Sequence, residues 1–237
     1  MRILIKKIFY TFKKLWTYFY FLINCKNKAI FLKKGAIFFK SKFKVKKDNE
    51  IIIGTDSQII RTKLLIKGTN NVVYVSDNTK IYDSKIIIKG DNNRVVIGEK
   101  VQLVNLQLII EHCGNELSIG DKTTSSGLIE MYIKEGKKVI IGKDCMLSRD
   151  IIIRTSDGHS IVNDRNKRIN YSDSVIVEDR VWIGQRAMLM KGAKITDNTV
   201  VAAGSTVTKK FESGNIIIAG NPAKQVREKI SWSRKLL

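Results

Sequence analysis

A chain of 237 residues is long enough for one elongated domain or two small ones, and its formal net charge of +21 suits an anionic membrane, an anionic glycan or nucleic acid. Nucleic acid ranks last of these partners because no nucleic-acid-binding motif is present. The three cysteines are an odd number without metal-like spacing, which argues against a disulfide framework or a zinc site and favours reduced thiols in a cytoplasmic protein.

Residues 1–50 are predicted to form a basic, aromatic-rich N-terminal segment, with 14 lysines and arginines against two acidic residues. Within residues 1–24 the apolar side chains share one face of a helical wheel, which predicts an amphipathic helix. These side chains are Met1, Ile5, Ile8, Phe12, Leu15, Trp16, Phe19, Leu22 and Ile23. Such a helix either packs on the following domain or a neighbouring subunit, or lies in the plane of a membrane, with residues 1–45 as the anchor. Its uncharged run of ten residues, 15–24, is too short to span a bilayer.

Aliphatic residues then return every 22 positions, which indicates a solenoid of repeated coils. They are Ile53, Val75, Ile97, Ile119 and Ile141. This period alone also fits a right-handed β-helix, but the pattern downstream favours coils of about eighteen residues enlarged by a bulge or longer turn of about four. Three asparagines, Asn71, Asn93 and Asn115, keep the same period, and we expect each at a corner that requires positive φ.

Residues 157–172 interrupt this regularity. The segment is polar and lacks regularly spaced aliphatic residues, so we predict a loop expelled from the solenoid. Loops of this kind often carry function. This one contains His159, one of only two histidines in the sequence.

From residue 177 to residue 207 an aliphatic side chain occupies every sixth position. The six are Val177, Ile183, Leu189, Ile195, Val201 and Val207. Six is a multiple of two but not of 3.6, so strands keep these side chains on one face where a helix would scatter them. We therefore expect a solenoid domain over residues 51–223, followed by a short basic helix or tail over 224–237.

Several motifs carry a resemblance to a known family. They are Val181-Trp182-Ile183-Gly184, Ala202-Ala203-Gly204-Ser205, Ala219-Gly220-Asn221-Pro222-Ala223-Lys224 and Ser156-Asp157-Gly158-His159-Ser160-Ile161. With the six-residue repeat, they resemble the hexapeptide-repeat acetyltransferases, and the histidine segment resembles the branch that O-acetylates bacterial capsular and other surface glycans. The resemblance implies an all-β solenoid, a left-handed parallel β-helix, that assembles as a homotrimer.

The chemistry of acetyl transfer points to His159 as a general base, because the acceptor hydroxyl must lose its proton as it attacks the thioester. Asp157 is expected to orient the imidazole or bind the acceptor, with a turn-forming role as its plain alternative. Trp182 should point outward, since its neighbour Ile183 points inward. The resemblance places this indole in the active site, whereas a subunit-interface aromatic is the structural alternative.

Acetyl-CoA is the donor that the resemblance implies, bound in a groove between neighbouring subunits. The backbone of Ala203 and Gly204 would hold the pantetheine arm, where small residues permit a close approach. Lys191, Lys209 and Lys224 are candidates for the phosphates. No metal is expected: γ-carbonic anhydrases share the fold but use three zinc-binding histidines, and this chain has two histidines.

The function predicted is O-acetylation of a capsular or surface glycan, for which a polyanionic polymer is a compatible acceptor. Two alternatives use the same chemistry: N-acetylation of a nucleotide-linked amino sugar, and O-acetylation of a small acceptor. A membrane-associated β-helix scaffold is the non-enzymatic alternative, and it leaves His159 and Trp182 without a role. The expected location is the cytoplasm, with peripheral attachment to the inner face of the bacterial cytoplasmic membrane through the N-terminal segment.

Overall fold

The structure, a computed structural model, describes residues 11–13, 15–17, 30–46 and 48–236. Its strands follow one another in eight coils of three, and a final pair closes the chain. The strands are β1 Ile30–Leu32, β2 Ile37–Phe39, β3 Lys42–Val45; β4 Glu50–Ile53, β5 Gln58–Ile60, β6 Lys63–Lys67; β7 Val72–Val75, β8 Lys80–Tyr82, β9 Lys85–Lys89; β10 Arg94–Ile97, β11 Gln102–Val104, β12 Leu106–Glu111; β13 Glu116–Ile119, β14 Thr124–Ser125, β15 Ile129–Lys134; β16 Lys138–Ile141, β17 Met146–Leu147, β18 Ile151–Arg154; β19 Val175–Val177, β20 Trp182–Ile183, β21 Met188–Leu189; β22 Lys194–Ile195, β23 Val200–Val201, β24 Thr206–Val207; and β25 Ile217–Gly220 with β26 Ala223–Arg227.

Corresponding strands of successive coils pair in parallel and form three sheets, one on each side of a triangular prism. The first sheet runs β1-β4-β7-β10-β13-β16-β19-β22, the second runs β2-β5-β8-β11-β14-β17-β20-β23-β25-β26, and the third runs β3-β6-β9-β12-β15-β18-β21-β24. We call the turn from the first sheet to the second the first corner, the turn from the second to the third the second corner, and the turn back to the first sheet the third corner. The prediction of a parallel β-helix is confirmed.

The repeated aliphatic residues form the core. All six side chains of the six-residue repeat are 0% exposed, and the five residues spaced by 22 are at most 2% exposed. Ile119 pairs with Ile97 on one side and Ile141 on the other, so the 22-residue repeat lines one inward row of the first sheet. Ile141 pairs with Val177, which continues the same row into the shorter coils.

The longer coils owe their extra length to the third side of the prism. Third-sheet strands span five residues in β6 and β9 and six in β12 and β15, but two in β21 and β24. The chain repeat falls accordingly from 22 residues, Ile97 to Ile119, to 18 residues, Val177 to Ile195. The expected enlargement of the coils is present, but a bulge or longer turn is wrong as its cause: the turn at the third corner has four residues in both kinds of coil, at 112–115 and 190–193, and the addition is mainly extended strand.

The periodic asparagines lie at the third corner, but the expectation of positive φ is wrong for them. The left-handed conformation falls one residue earlier, at Asn70 and Asn92. Asn71, Asn93 and Asn115 are buried and hydrogen bond in a ladder that begins at Asn49. Each amide nitrogen donates to the preceding side-chain oxygen, at 2.9, 3.0 and 2.8 Å in order along the chain. A buried amide needs such partners, which explains the strict period.

The N-terminal segment contacts the first coil. Residues 11–13 and 15–17 are helical, and the rings of Phe12 and Trp16 lie 6.3 and 5.7 Å from that of Phe39. The Thr17 hydroxyl accepts from the Phe38 amide at 2.8 Å and donates to its carbonyl at 3.0 Å. Most of the proposed amphipathic helix, including Met1, Ile5, Ile8, Phe19, Leu22 and Ile23, lies outside the described residues.

The first strand of the solenoid among the described residues begins at Ile30, one coil before the expected boundary at residue 51. Lysines at outward positions conceal this first coil in the sequence: Lys42 and Lys44 are exposed and alternate with the partly buried Phe43 and Val45. Among the described residues, no helix is both long and apolar enough to cross a membrane.

The C-terminal residues form a tail, and residues 224–236 contain no helix. Strand β26 turns back at Pro222 and pairs antiparallel with β25. The following residues then run along the outside of the second sheet, where Trp232 packs against Trp182. Of the two expected alternatives, helix or tail, the structure has the tail.

Candidate active site

The predicted loop projects from the third corner, between β18 and β19, and we call residues 155–174 the His159 loop. Its two arms pair as an antiparallel bridge between Val162 and Arg168. The Ile169 amide also donates to the Ile161 carbonyl at 2.8 Å. The loop is therefore a short finger with its own hydrogen bonds, held outside the aliphatic core.

His159 lies near the base of this finger and is exposed. Its backbone carbonyl accepts a hydrogen bond from the Asn170 side chain at 2.8 Å. The main chain of the histidine is thus held from the opposite arm while the residue faces solvent. This arrangement suits a proton acceptor that must meet a substrate arriving from outside.

Asp157 bonds to two groups at the base of the loop. Its carboxylate pairs with the Lys191 ammonium group and accepts from the Asn170 amide at 2.8 Å. The hydrogen bond from Lys191 is the main cause that lowers the pKa of Asp157 below its usual value. The ion pair attaches the loop to the next coil, to which Lys191 belongs, and the bond from Asn170 joins the two arms of the loop.

A second ion pair holds the other arm. The Arg168 guanidinium binds Glu135 in a bidentate manner, with both N···O distances at 3.0 Å. Arg168 lowers the pKa of Glu135, and Glu135 raises the pKa of Arg168. Glu135 follows β15 and Lys191 follows β21, so the loop is tied to the third corner of the coil before it and of the coil after it.

The expected cofactor residues divide between two corners. Lys191 and Lys209 lie at the third corner with the His159 loop, each just after a third-sheet strand. Ala203 and Gly204 lie exposed at the second corner, between β23 and β24. Lys224 is exposed in β26, next to the turn that stacks on that corner, where the Gly220 amide donates to the Ser205 hydroxyl at 3.2 Å. The outer face of the third sheet separates the two groups.

Trp182 lies on the second sheet, the side of the prism opposite the third corner, so one chain does not bring it beside His159. It is partly buried and points outward, as expected, beside the fully buried Ile183. The indole nitrogen donates to the Ser148 hydroxyl at 3.4 Å, and the ring lies 6.2 Å from that of Trp232.

Trp232 was missed by sequence reasoning. It is 8% exposed, and its indole nitrogen donates to the Arg180 carbonyl at 2.6 Å. The guanidinium groups of Arg180 and Arg234 lie 5.5 and 5.7 Å from its ring. Arg234 in turn bonds to Asp144 at 3.0 Å. The available signal was a tryptophan among basic residues near the C-terminus. The ring that it packs against, that of Trp182, lies 50 positions away in the sequence.

The two described cysteines, Cys113 and Cys145, are free thiols, while Cys25 lies outside the described residues. Burial raises the pKa of Cys145 to about 11, which leaves it protonated at neutral pH. Cys113 is exposed near the third corner of the fourth coil.

Comparison with known proteins places this geometry in a family. The family model for the bacterial transferase hexapeptide (six repeats) matches residues 174–209. Polysialic acid O-acetyltransferases from Escherichia coli O1:K1 and Neisseria meningitidis are each 40% identical, over 97 and 114 residues. These matches cover 40% and 48% of this chain but 31% and 53% of the relatives, so the chain spans about a third of the first relative's length and about half of the second's.

Solved structures extend the similarity over most of the chain. The polysialic acid O-acetyltransferase OatWY superposes with a TM-score of 0.71 at 34% identity, covering 88% of this chain and 92% of OatWY. The polysialic-acid-specific acetyltransferase NeuO superposes with a TM-score of 0.67 at 29% identity, covering 89% of this chain and 84% of NeuO. The chain therefore belongs to the hexapeptide-repeat acetyltransferase family.

Proposed function

We propose that the protein transfers an acetyl group from acetyl-CoA to a hydroxyl of a bacterial capsular or other surface glycan, with His159 as the general base. The observation that carries the proposal is the exposed His159 on a loop tied to the coils on both sides of it. A histidine on such an anchored loop can meet the acceptor hydroxyl in a defined orientation, which contributes to the rate together with the proton transfer itself. The similarity to two polysialic acid O-acetyltransferases supports the reaction class and the acceptor class.

The transfer proceeds by direct attack. The acceptor hydroxyl oxygen forms a bond to the thioester carbonyl carbon as its proton passes to the His159 imidazole. The tetrahedral oxyanion then collapses, the carbon–sulfur bond breaks, and the imidazolium returns the proton to the departing CoA thiolate. Backbone N–H groups facing the thioester would stabilise the oxyanion.

A homotrimer would assemble the complete site. Trp182 and His159 lie on opposite sides of one prism, so a neighbouring copy is needed to bring an indole to the loop. The loop also carries exposed apolar side chains suited to contact with a second copy. They are Ile161, Val162, Ile169 and Tyr171, between 48% and 60% exposed.

Acetyl-CoA would lie in the groove between two copies, next to the His159 loop. Lys209 and Lys224 are our candidates for its phosphates, and Ala203 and Gly204 for the pantetheine arm. Lys191 is the weaker candidate, because its ammonium group is already paired with Asp157. No resident metal enters the proposed reaction.

A polyanionic acceptor fits the outer face of the third sheet. Lys42, Lys63 and Lys85 are in register on neighbouring strands, and Lys67 and Lys89 form a parallel row. Neighbouring strands lie about 4.8 Å apart, so these rows offer closely spaced positive charge along the prism. An extended anionic chain could lie along these rows, which end at Gln107 and at Glu111, the partner of Lys89.

Peripheral attachment to the inner face of the cytoplasmic membrane would use the N-terminal segment. Phe12, Leu15 and Trp16 are 51%, 59% and 43% exposed, although neighbouring Thr17 is bound to the first coil. Co-sedimentation with anionic vesicles tests this in the full chain with Phe12→Ser and Leu15→Ser combined. Loss of vesicle binding in the double variant supports the attachment, and equal sedimentation of both proteins defeats it. Deleting residues 1–45 would also remove β1–β3 and is the poorer test.

The transfer itself is tested by offering acetyl-CoA with polysialic acid, neutral capsular oligosaccharides, a nucleotide-linked amino sugar and small alcohols, and following the acetylated product by mass spectrometry. His159→Asn should lower kcat by on the order of 10²–10⁴. His112→Asn is the matched control, because His112 is also exposed near the third corner and has positive φ that asparagine tolerates.

The outcomes separate the alternatives. Activity on the amino sugar or small alcohols alone would replace the glycan acceptor. Equal loss in both histidine variants would remove His159 as the specific base. If the protein transfers acetyl to none of these acceptors, the result favours the non-enzymatic alternative, a β-helix scaffold.

A further inference from the structure

Asn170 is a buried amide between two exposed residues of the loop. It is 7% exposed, whereas its neighbours Ile169 and Tyr171 are 58% and 60% exposed. Burying an amide is unfavourable unless its donors and acceptor are used. The burial of this side chain therefore calls for a role at the base of the loop, where Ser156 and Ser172 are also buried.

The Asn170 amide joins the two arms of the loop. Its nitrogen donates to the Asp157 carboxylate and to the His159 carbonyl, both at 2.8 Å. Its oxygen accepts from the Ile161 amide at 2.7 Å. Both donor positions and the acceptor are occupied, and the three partners are His159 itself and the residues two positions before and after it.

Two ion pairs connect the hydrogen bonds of Asn170 to the solenoid. Asp157 pairs with Lys191 of the following coil. Arg168, bound to Glu135 of the preceding coil, also donates to the Asn170 carbonyl at 3.2 Å. Asn170 thus lies where the attachments from both coils meet, on the arm opposite His159.

We infer that Asn170 is a positioning residue that fixes His159 for acetyl transfer, an inference that rests on the proposed function. Asparagine offers two donors and an acceptor on one short side chain, and each is used. Aspartate would keep the bond to the Ile161 amide, but it would lose both donor bonds and place a second carboxylate beside Asp157. Alanine removes all three bonds and frees the main chain of His159 to move relative to a bound thioester.

Asn170→Ala should lower kcat by on the order of tenfold to a hundredfold, because small displacements of a catalytic group have effects of this size. The KM for acetyl-CoA should stay unchanged, since Asn170 makes no proposed contact with the donor. Asn170→Asp should show a similar loss of kcat. Asn163→Ala is the matched control: its side chain accepts from the Arg165 and Lys167 amides at the tip of the loop, at 3.1 and 2.9 Å.

A second readout does not depend on turnover. The full chain carrying His112→Asn contains one histidine, so the imidazole of His159 gives a single resonance in a histidine-labelled sample. Asn170→Ala in that background should shift or broaden this resonance, whereas Asn163→Ala should leave it in place. The thermal midpoint of each protein is measured beside these readouts, and the assays are run well below the lowest midpoint so that every variant is folded.

The inference is overturned if Asn170→Ala retains full kcat, or if the His159 resonance does not change. It is also overturned if Asn163→Ala produces the same changes, because the effect would then belong to the loop as a whole. If the His112→Asn chain with Asn170 intact acetylates no acceptor, the proposed function is refuted instead. The resonance of His159 would still report whether Asn170 fixes the histidine.

Discussion

Removing one rung of the asparagine ladder should destabilise the solenoid far more than an ordinary surface substitution. Asn93→Ala removes three hydrogen bonds: from its own amide to Asn71, and from the backbone and side-chain nitrogens of Asn115. At about 1 kcal/mol each, the two bonds between side chains contribute about 2 kcal/mol. The third bond leaves the Asn115 backbone amide buried without its acceptor, at a cost of about 1–3 kcal/mol. We expect the free energy of unfolding to fall by about 4 kcal/mol.

Urea denaturation followed by circular dichroism at a fixed protein concentration measures this loss. Asn92→Gly is the matched control, because Asn92 is the exposed neighbour at the same corner and glycine adopts its positive φ without strain. We expect the control to change stability by less than about 0.5 kcal/mol. A loss below about 1 kcal/mol for Asn93→Ala would refute the reasoning, since it would mean that water or local relaxation replaces the ladder.

Three further predictions concern other parts of the prism. Gly184→Ala should lower the thermal midpoint by the equivalent of about 1–3 kcal/mol, because the new Cβ would lie 2.6 Å from the backbone nitrogen of Ala203. An unchanged midpoint would show that the two neighbouring coils move apart enough to accept the methyl group. Hydrogen bonds from Lys134 and Lys89 lower the pKa of Glu111 to about 2, so its stabilising effect is complete above the ordinary pKa of 4.5 and is lost as the pH falls through 2. Glu111→Gln should therefore cost about 1–2 kcal/mol at pH 7 in urea titrations, and a cost that does not shrink between pH 4.5 and 2 would argue against the ion pairs. Trp232→Ala should release the C-terminal tail to trypsin and Trp232→Phe should largely preserve it; equal digestion of the variants and the unaltered chain would contradict the packing.

The architecture was predictable because it depends on side chains that repeat along the chain. Val177 and Ile183 mark successive sides of the prism, and any residue at those positions must be apolar and modest in size. The inward position of Ile183 also fixes the outward direction of Trp182. The break at residues 157–172 was visible for the same reason, since nothing there could fill the interior.

The contacts that hold the site were not predictable from periodicity. Lys191 meets Asp157 across 34 positions, and neither residue type indicates whether a lysine binds a phosphate or a carboxylate. Asn71 and Asn70 are identical residues at one corner, but one is buried in the ladder and the other has positive φ. That choice depends on which side chain faces the interior, and the sequence pattern near a corner does not resolve it.

The Thr17 hydroxyl and the reversed direction of β26 cover strand edges of the second sheet at the two ends of the prism. A parallel stack of strands ends in rows of unused amide and carbonyl groups, which can recruit strands from other molecules and grow into fibres. At the first end, Thr17 occupies both the amide and the carbonyl of Phe38. At the last, the second sheet finishes in an antiparallel strand whose edge carries the exposed Lys224 and Arg227. Both features disfavour end-to-end polymerisation and favour a discrete particle.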